Sequence, residues 1–276
     1  MKAWKISLFA MLAAVAAGTV ASCDAVEPST YYEQFYRIGT VKLNSLGTKA
    51  YIAMDAIGDD EPESFDIRNF RTEADMEKFG VENNDRVVAV MDFNATGTMY
   101  NNRITLDRLQ KIGISRLETV KPSDTLNYNY FFTTFTLVNV RYPEIWSTGH
   151  FVNIAPAYYV PENSGPAEFY MDPVVFSNDT LYARLYSRIP SIDNSQSRAS
   201  QSLLCFDMSS LRESSADAAN QAVRTSALEG LKGKNSFVLT VVTPDSLRAY
   251  RSDSDKEYWR HPMLDRMVSV SVDFDF

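Results

Sequence analysis

Apolar and polar residues alternate with a period of two along much of the chain, which is the pattern of half-buried β-strands. In the first part of the chain this pattern recurs five times between turn-like polar stretches. The strands expected there are residues 35–43, 51–57, 86–93, 104–106 and 112–120. Thr72 with Asp75 at the capping-box position, and Gly80 as a stop, predict one short helix between them.

The second part of the chain is also rich in predicted strands. The alternation stops at residues 121–124, which contain Pro122 and are the best candidate for a boundary between two units. An alanine-rich stretch, residues 215–231, predicts one inserted helix. The remaining pattern predicts an antiparallel β-sandwich, so the fold class is all-β. Its strands are expected at residues 131–140, 151–159, 167–176, 181–188, 202–208, 237–242 and 267–276.

The N-terminus has the pattern of an export signal. Met1–Lys5 is basic, and residues 6–20 are uncharged and mostly apolar. Val20-Ala21-Ser22-Cys23 follows and resembles the lipobox of bacterial lipoproteins. The resemblance implies that residues 1–22 are removed, that the Cys23 thiol is diacylglycerylated, and that its new amine receives a fatty acid such as palmitate. The alternative is an ordinary secretory signal with a coincidental cysteine.

A lipidated Cys23 would place the protein on a membrane without crossing it, since no later stretch is both apolar and long enough to span one. We expect the outer membrane or the cell surface, with residues 23–34 as a lipidated tether. Cys205 would then be the one free thiol of the mature chain. It lies between apolar neighbours, which favours a buried strand residue over a nucleophile.

Composition and charge exclude several classes of function. The 276 residues include 27 basic and 35 acidic side chains, for a net charge of −8. Removal of a signal that contains Lys2 and Lys5 and no acid makes this −10. A protein that follows nucleic-acid phosphates needs the opposite sign, so we expect no nucleic-acid partner. Two histidines and two cysteines are too few for a zinc cluster built from Cys and His.

Other catalytic and metal motifs are also missing. The acidic stretches at residues 59–61 and 253–257 lack the loop glycine and distal glutamate of an EF-hand, so solvated loops are expected there. Ser147 and His150 lie three positions apart on one predicted strand and would face opposite sides. A Gly-x-Ser-x-Gly elbow is also missing. We therefore predict no catalytic residues, no metal and no cofactor, with a carboxylate-dependent hydrolase as the least favoured alternative.

The strand and turn patterns together resemble the NigD-like family of exported bacterial lipoproteins. The resemblance covers almost the whole mature chain and lies in residues 36–43, 84–90, 100–104, 150–154, 181–185 and 205–211. It implies an N-terminal OB-like five-stranded barrel at residues 35–120 and a C-terminal β-sandwich domain at residues 121–276. To our knowledge the family has no settled biochemical function. The lengthened acidic turn at residues 58–63 and the alanine-rich helix depart from its usual pattern.

Aromatic pairs supply the candidates for a binding surface. OB barrels bind ligands on the face of their second and third strands, and the negative charge favours sugars over oligonucleotides there. Paired tyrosines can stack on sugars or anchor a protein partner. The competing interpretation is that alternate members fill the core. The candidate binding aromatics are Tyr128, Tyr130, Tyr158 and Tyr159.

Three Asp-Thr-Leu or Asp-Ser-Leu triplets resemble the acceptor for O-glycosylation of exported proteins in bacteria in which this family occurs. Their acceptor residues are Thr125, Thr180 and Ser246. The sequence as a whole predicts a non-catalytic envelope lipoprotein that acts as a binding or accessory module. Its partner would be an envelope protein or a glycan.

Overall fold

The all-β prediction is confirmed by a computed structural model of the chain. The structure describes residues 31–57, 65–95, 103–118, 130–137, 140–162, 165–188, 197–211, 229–244 and 265–274. Cys23, the predicted signal and residues 24–30 lie outside these ranges. In the described part of the chain, helices are too short or too polar to cross a membrane.

The first unit is a four-stranded sheet in the order β2-β1-β3-β4 with antiparallel neighbours. Its elements are β1 (Tyr31–Leu43), β2 (Ala50–Met54), α1 (Glu73–Phe79), β3 (Arg86–Ala95) and β4 (Arg103–Lys111). The predicted helix is confirmed, with Thr72 and Asp75 forming the capping box and Gly80 ending the helix in the left-handed conformation. The tether prediction was wrong for residues 31–34, which pair with residues 92–95 of β3.

An irregular segment, residues 67–71, closes this sheet. Ile67 forms a parallel bridge with Ile104 of β4, and the Asn69 amide bonds both the N–H and the C=O of Leu106, each at 2.8 Å. On the other side, the N–H of Ala50 in β2 donates to the C=O of Arg71 at 2.8 Å. The segment thus takes the place of a fifth strand. With α1 between it and β3, the order of elements matches the OB-like barrel that the family resemblance implied.

The strand predicted at residues 112–120 belongs to the second unit instead. It is β5 (Ile114–Leu117), which pairs in parallel with two later strands, Glu168–Ser177 and Leu204–Asp207. The second unit also contains a 3₁₀-helix, Met208–Leu211. Its other strands are β6 (Tyr130–Phe132), β7 (Phe135–Leu137), β8 (Val140–Tyr142), β9 (Ile145–Thr148), β10 (Phe151–Ile154), β11 (Pro156–Pro161), β12 (Glu168–Ser177), β13 (Thr180–Arg188), β14 (Ser197–Gln201), β15 (Leu204–Asp207), β16 (Ser236–Pro244) and β17 (Asp265–Asp273).

Eight of these strands form one sheet in the order β17-β16-β13-β12-β5-β15-β10-β9. The sheet curls until its two edges meet. There the N–H of Asp273 donates to the C=O of Gly149 at 3.2 Å, and the Ser147 hydroxyl donates to the C=O of Ser271. The predicted antiparallel sandwich is thus corrected to a nearly closed mixed sheet, because β5 and the β13–β16 pair run parallel.

Smaller sheets flank the closed one, β14-β11-β6 with three strands and β7-β8 with two. The interior of the closed sheet is apolar and includes Met171, Leu185, Phe206 and Leu239. Of the predicted helix at residues 215–231, only residues 229–231 are described, and they are helical.

A substitution at Gly39 tests the packing of the first unit. A Cβ there would lie 2.7 Å from the C=O of Ala53 and 2.8 Å from Cγ2 of Ile52, so one of them must move. We expect Gly39→Ala to lower the free energy of unfolding by about 1–3 kcal/mol in a urea titration. Gly113→Ala is the matched control, since the same Cβ meets nothing within 4 Å. Equal stability of the two variants would contradict the close approach of β1 and β2.

Candidate functional site

Residues 86–91 of β3 are buried on both faces of the first unit's sheet. One face, with Val87, Ala89 and Met91 of β3, packs on α1 and residues 67–70. The opposite face carries Ile38 and Val88, which pack on residues of the second unit. Burial on both faces explains why β3 has a continuous apolar run rather than an alternating one.

A buried ion pair lies at the start of β3. The side chains of Arg86 and Asp55 are both fully inaccessible to solvent. The guanidinium donates from Nη1 to Oδ1 at 2.7 Å and from Nη2 to Oδ2 at 2.5 Å, which is a bidentate arrangement. Nη1 also donates to the hydroxyl of Thr40, directly across from Arg86 on β1, at 2.8 Å.

The second unit completes the environment of this pair. Trp146, Asn153 and Cys205 are neighbours in one row across β9, β10 and β15, so their side chains share the outer face of the closed sheet. Trp146 Nε1 donates to Asp55 Oδ2 at 2.8 Å, and Arg86 Nη2 donates to Asn153 Oδ1 at 3.0 Å. The ion pair is therefore shared between the units, because each unit supplies some of its hydrogen-bond partners.

Aromatic rings shield the pair from water. The Phe151 ring centroid lies 5.5 Å from Cζ of Arg86. Tyr142 stacks on Trp146 with 4.9 Å between centroids, and its hydroxyl accepts from the N–H of Ile38 at 2.8 Å. Burial raises the pKa of Tyr142 to about 12, so its hydroxyl stays protonated. These contacts form a second link between the units.

Burial acts to lower the pKa of Arg86, but the charge of Asp55 and its hydrogen bonds outweigh burial and raise that pKa. Burial raises the pKa of Cys205 to about 12, against the opposing effect of the nearby guanidinium. Cys205 is thus a neutral thiol, as the sequence predicted for a buried strand residue. Because these side chains have no solvent access, the arrangement holds the two units together and is not a place for a substrate.

Sequence analysis did not select Arg86 or Asp55. The available signal was an arginine at the start of an apolar run and an aspartate inside another predicted strand, residues 51–57. Both residues are usually exposed, so neither position by itself indicates a buried pair.

His150 lies at the surface end of this region, in the turn between β9 and β10. Its Nε2 is 3.8 Å from Oδ1 of Asp207, and its ring lies 4.3 Å from that of Phe151. The Ser147 hydroxyl is bonded to the backbone of β17 instead. Burial, with Lys42 and Arg86, lowers the pKa of His150, although Asp207 opposes this shift.

The structure tests the prediction of ligand-binding aromatic residues for one of the four tyrosines. Tyr158 is fully buried, with its hydroxyl 2.6 Å from Ser202 Oγ and its ring edge-on to Phe169. It is therefore a core residue, and its prediction as a binding residue was wrong. Tyr130 is in β6 and Tyr159 is in β11, but their side chains lie outside the described part of the structure, as does all of Tyr128.

Of the three predicted glycosylation residues, the structure describes Thr180. It begins β13 after a turn in which Asn178 and Asp179 have positive φ, and it is half-buried. Its hydroxyl donates to the C=O of Asn178 at 3.4 Å. Thr125 and Ser246 lie outside the described ranges. Glycosylation at all three remains a prediction.

A cleft of about 670 Å³ lies beside α1. Apolar residues line it together with Glu73, Glu77 and Glu82. Among its described lining residues there is no histidine, cysteine or serine. Within the described ranges, no three His, Cys, Asp or Glu side chains are grouped to hold a metal. The carboxylate-dependent hydrolase alternative stays a prediction.

Removal of Asp55 tests the ion pair. Asp55→Ala leaves the Arg86 charge buried without its counter-charge, so we expect a loss of roughly 3–5 kcal/mol in the free energy of unfolding. The matched control is Asp66→Ala, which breaks the solvent-exposed pair with Arg71 and should cost about 1 kcal/mol or less. Urea titrations of both variants provide the comparison. Similar losses would contradict the burial of the Arg86–Asp55 pair.

The lowered pKa of His150 predicts a dependence of stability on pH. The unfolded chain, with an ordinary histidine pKa near 6.5, takes up a proton before the folded chain does. Stability that is present above pH 6.5 should therefore be lost as the pH falls toward the lower folded pKa. His150→Gln should flatten the curve of unfolding free energy below about pH 6.5. An unchanged slope in His150→Gln would contradict the assignment.

No protein-family model matches the chain, and no curated protein matches it. Several solved structures do, among them the following three. A toxin-related protein from Parabacteroides distasonis is 12% identical with a TM-score of 0.42, over 88% of this chain and 95% of that one. A protein described as a lipoprotein from Bacteroides fragilis is 10% identical with a TM-score of 0.43, over 88% and 98%. A NigD-like immunity protein from Bacteroides caccae is 14% identical with a TM-score of 0.39, over 83% and 96%. A protein described as NigD-like is thus among the solved structures to which this chain is similar.

Proposed function

We propose that this protein is a lipid-anchored protein of the bacterial envelope that acts as a non-catalytic binding or accessory module. The observation that carries the proposal is the sequence Val20-Ala21-Ser22-Cys23 at the end of an uncharged apolar run. Small residues before a cysteine at that boundary are what lipid attachment and signal cleavage require. Several acyl chains on Cys23 would hold the protein on the outer membrane or cell surface.

The position of the first strand adds a distance limit to this proposal. Because β1 begins at Tyr31, residues 24–30 separate the anchor from the folded part of the chain. Fully extended, seven residues reach about 25 Å. The first unit would therefore lie close to the membrane surface.

The shared ion pair supports a role in binding rather than catalysis. Arg86 and Asp55 take partners from both units, so the pair links the units and can hold a binding surface in a fixed orientation. An envelope protein is the first proposed partner. A glycan is the alternative, and since Tyr158 is buried it must use other aromatic residues.

Lipidation is tested on the protein purified from its native host. Its intact mass should equal that of the chain from Cys23 onward plus a diacylglyceryl and an acyl group. In detergent phase separation it should enter the detergent phase, and Cys23→Ser should move it to the aqueous phase because the thiol that takes the lipid is gone. Cys205→Ala is the matched control and should stay with the detergent.

A bare thiol at Cys23, with the protein in the aqueous phase, would overturn the proposed function. The same mass measurement tests O-glycosylation. Extra mass that maps to Thr125, Thr180 or Ser246 is expected, and a mass of peptide plus lipid alone would contradict the glycosylation hypothesis.

A further inference from the structure

The hairpin of β1 and β2 presents three polar residues on one outer face. Tyr51 lies directly across from Lys42, so the two side chains are neighbours on the same side of the sheet. Lys49 comes just before β2, and its C=O accepts from the N–H of Asn44 at 2.9 Å, so it continues the strand pairing and shares the side of Tyr51. Tyr51 and Lys49 are exposed, and Lys42 is half-buried. We call these three residues the Tyr51 face.

The Tyr51 face has an excess of positive charge in an acidic protein. The whole chain carries −8, yet within the described ranges neither Lys42 nor Lys49 has a carboxylate at ion-pair distance. The Tyr51 hydroxyl likewise has no hydrogen-bond partner there. Burial and the nearby Arg86 lower the pKa of Lys42, as expected for a cation that lacks a counter-charge. All three side chains are thus available to a ligand.

We propose that the Tyr51 face binds an acidic polysaccharide. The Tyr51 ring, 42% exposed, would stack on a sugar ring, and the two ammonium groups would pair with its carboxylate or sulfate groups. This inference rests on the proposed function as a binding module and names the ligand class for its glycan alternative.

The size and composition of the face favour a sugar over a protein. A stable protein interface covers about 800 Å² on each side and has an apolar centre. On the Tyr51 face, the aromatic residue is flanked by two cations, and the next cross-strand pair, Thr40 and Ala53, leads into the seam with the second unit. A single exposed ring bordered by two ammonium groups matches one charged sugar unit.

The experiment measures binding of full-length protein, purified in a non-ionic detergent, to defined polymers by isothermal titration calorimetry. The probes are polygalacturonate and chondroitin sulfate as acidic polysaccharides, pullulan as a neutral one, and poly-glutamate as an acidic peptide. We expect at least one acidic polysaccharide to bind, more weakly as salt is raised, and pullulan not to bind. Tyr51→Ala and Lys49→Gln should each weaken binding, by about tenfold for the loss of the aromatic ring.

Matched controls are Tyr182→Ala on β13, which is 37% exposed, and the exposed Lys232→Gln. Both should bind as the unaltered protein does. The proposal is overturned if neither acidic polysaccharide binds, if the controls weaken binding as much as the Tyr51-face variants, or if poly-glutamate binds as tightly through the same residues. A protein that carries lipid at Cys23 but binds no polysaccharide would refute only this inference, whereas a bare Cys23 would refute the proposed function.

Discussion

The structure depends on a buried ion pair that no single part of the chain can satisfy. Arg86 and Asp55 are both removed from water, and such a pair is costly unless nearly every polar atom finds a partner. Those partners are Thr40 in the first unit and Asn153 and Trp146 in the second. Apolar contacts around the pair are not directional, whereas hydrogen bonds are. The pair therefore selects one register of docking between the two sheets.

Docking in that register decides which surfaces remain for binding. The face of β1 and β3 that carries Ile38 and Val88 disappears into the seam between the units. The same face continues along the β1–β2 hairpin, where Lys42 lies near His150 of the second unit and Tyr51 is exposed. One sheet face thus serves two roles, with its buried part joining the units and its exposed part open to a ligand.

The local sequence pattern was enough to predict those strands and helices whose structure is determined by their own residues. The strands around residues 35–43 and 86–93 follow from hydrophobic periodicity, and the α1 helix follows from Thr72, Asp75 and Gly80. The prediction was wrong where the place of a segment in the fold depends on the strands with which it pairs. Residues 112–120 have the period of a strand, but the sheet to which they belong is set by parallel pairing with distant β12 and β15. Residues 67–71 lack that period and nevertheless close the first sheet.

The sequence by itself determined the all-β class, the capped helix and the lipobox pattern, because each depends on neighbours along the chain. Only the tertiary structure decided that Tyr158 is buried while Tyr51 is exposed, since both lie in strands and the burial of a side chain depends on what packs over it. The same holds for Arg86 and Asp55. Their hydrogen bonds form between residues far apart in sequence, and the free energy that makes burial of the pair tolerable exists only after both sheets have assembled.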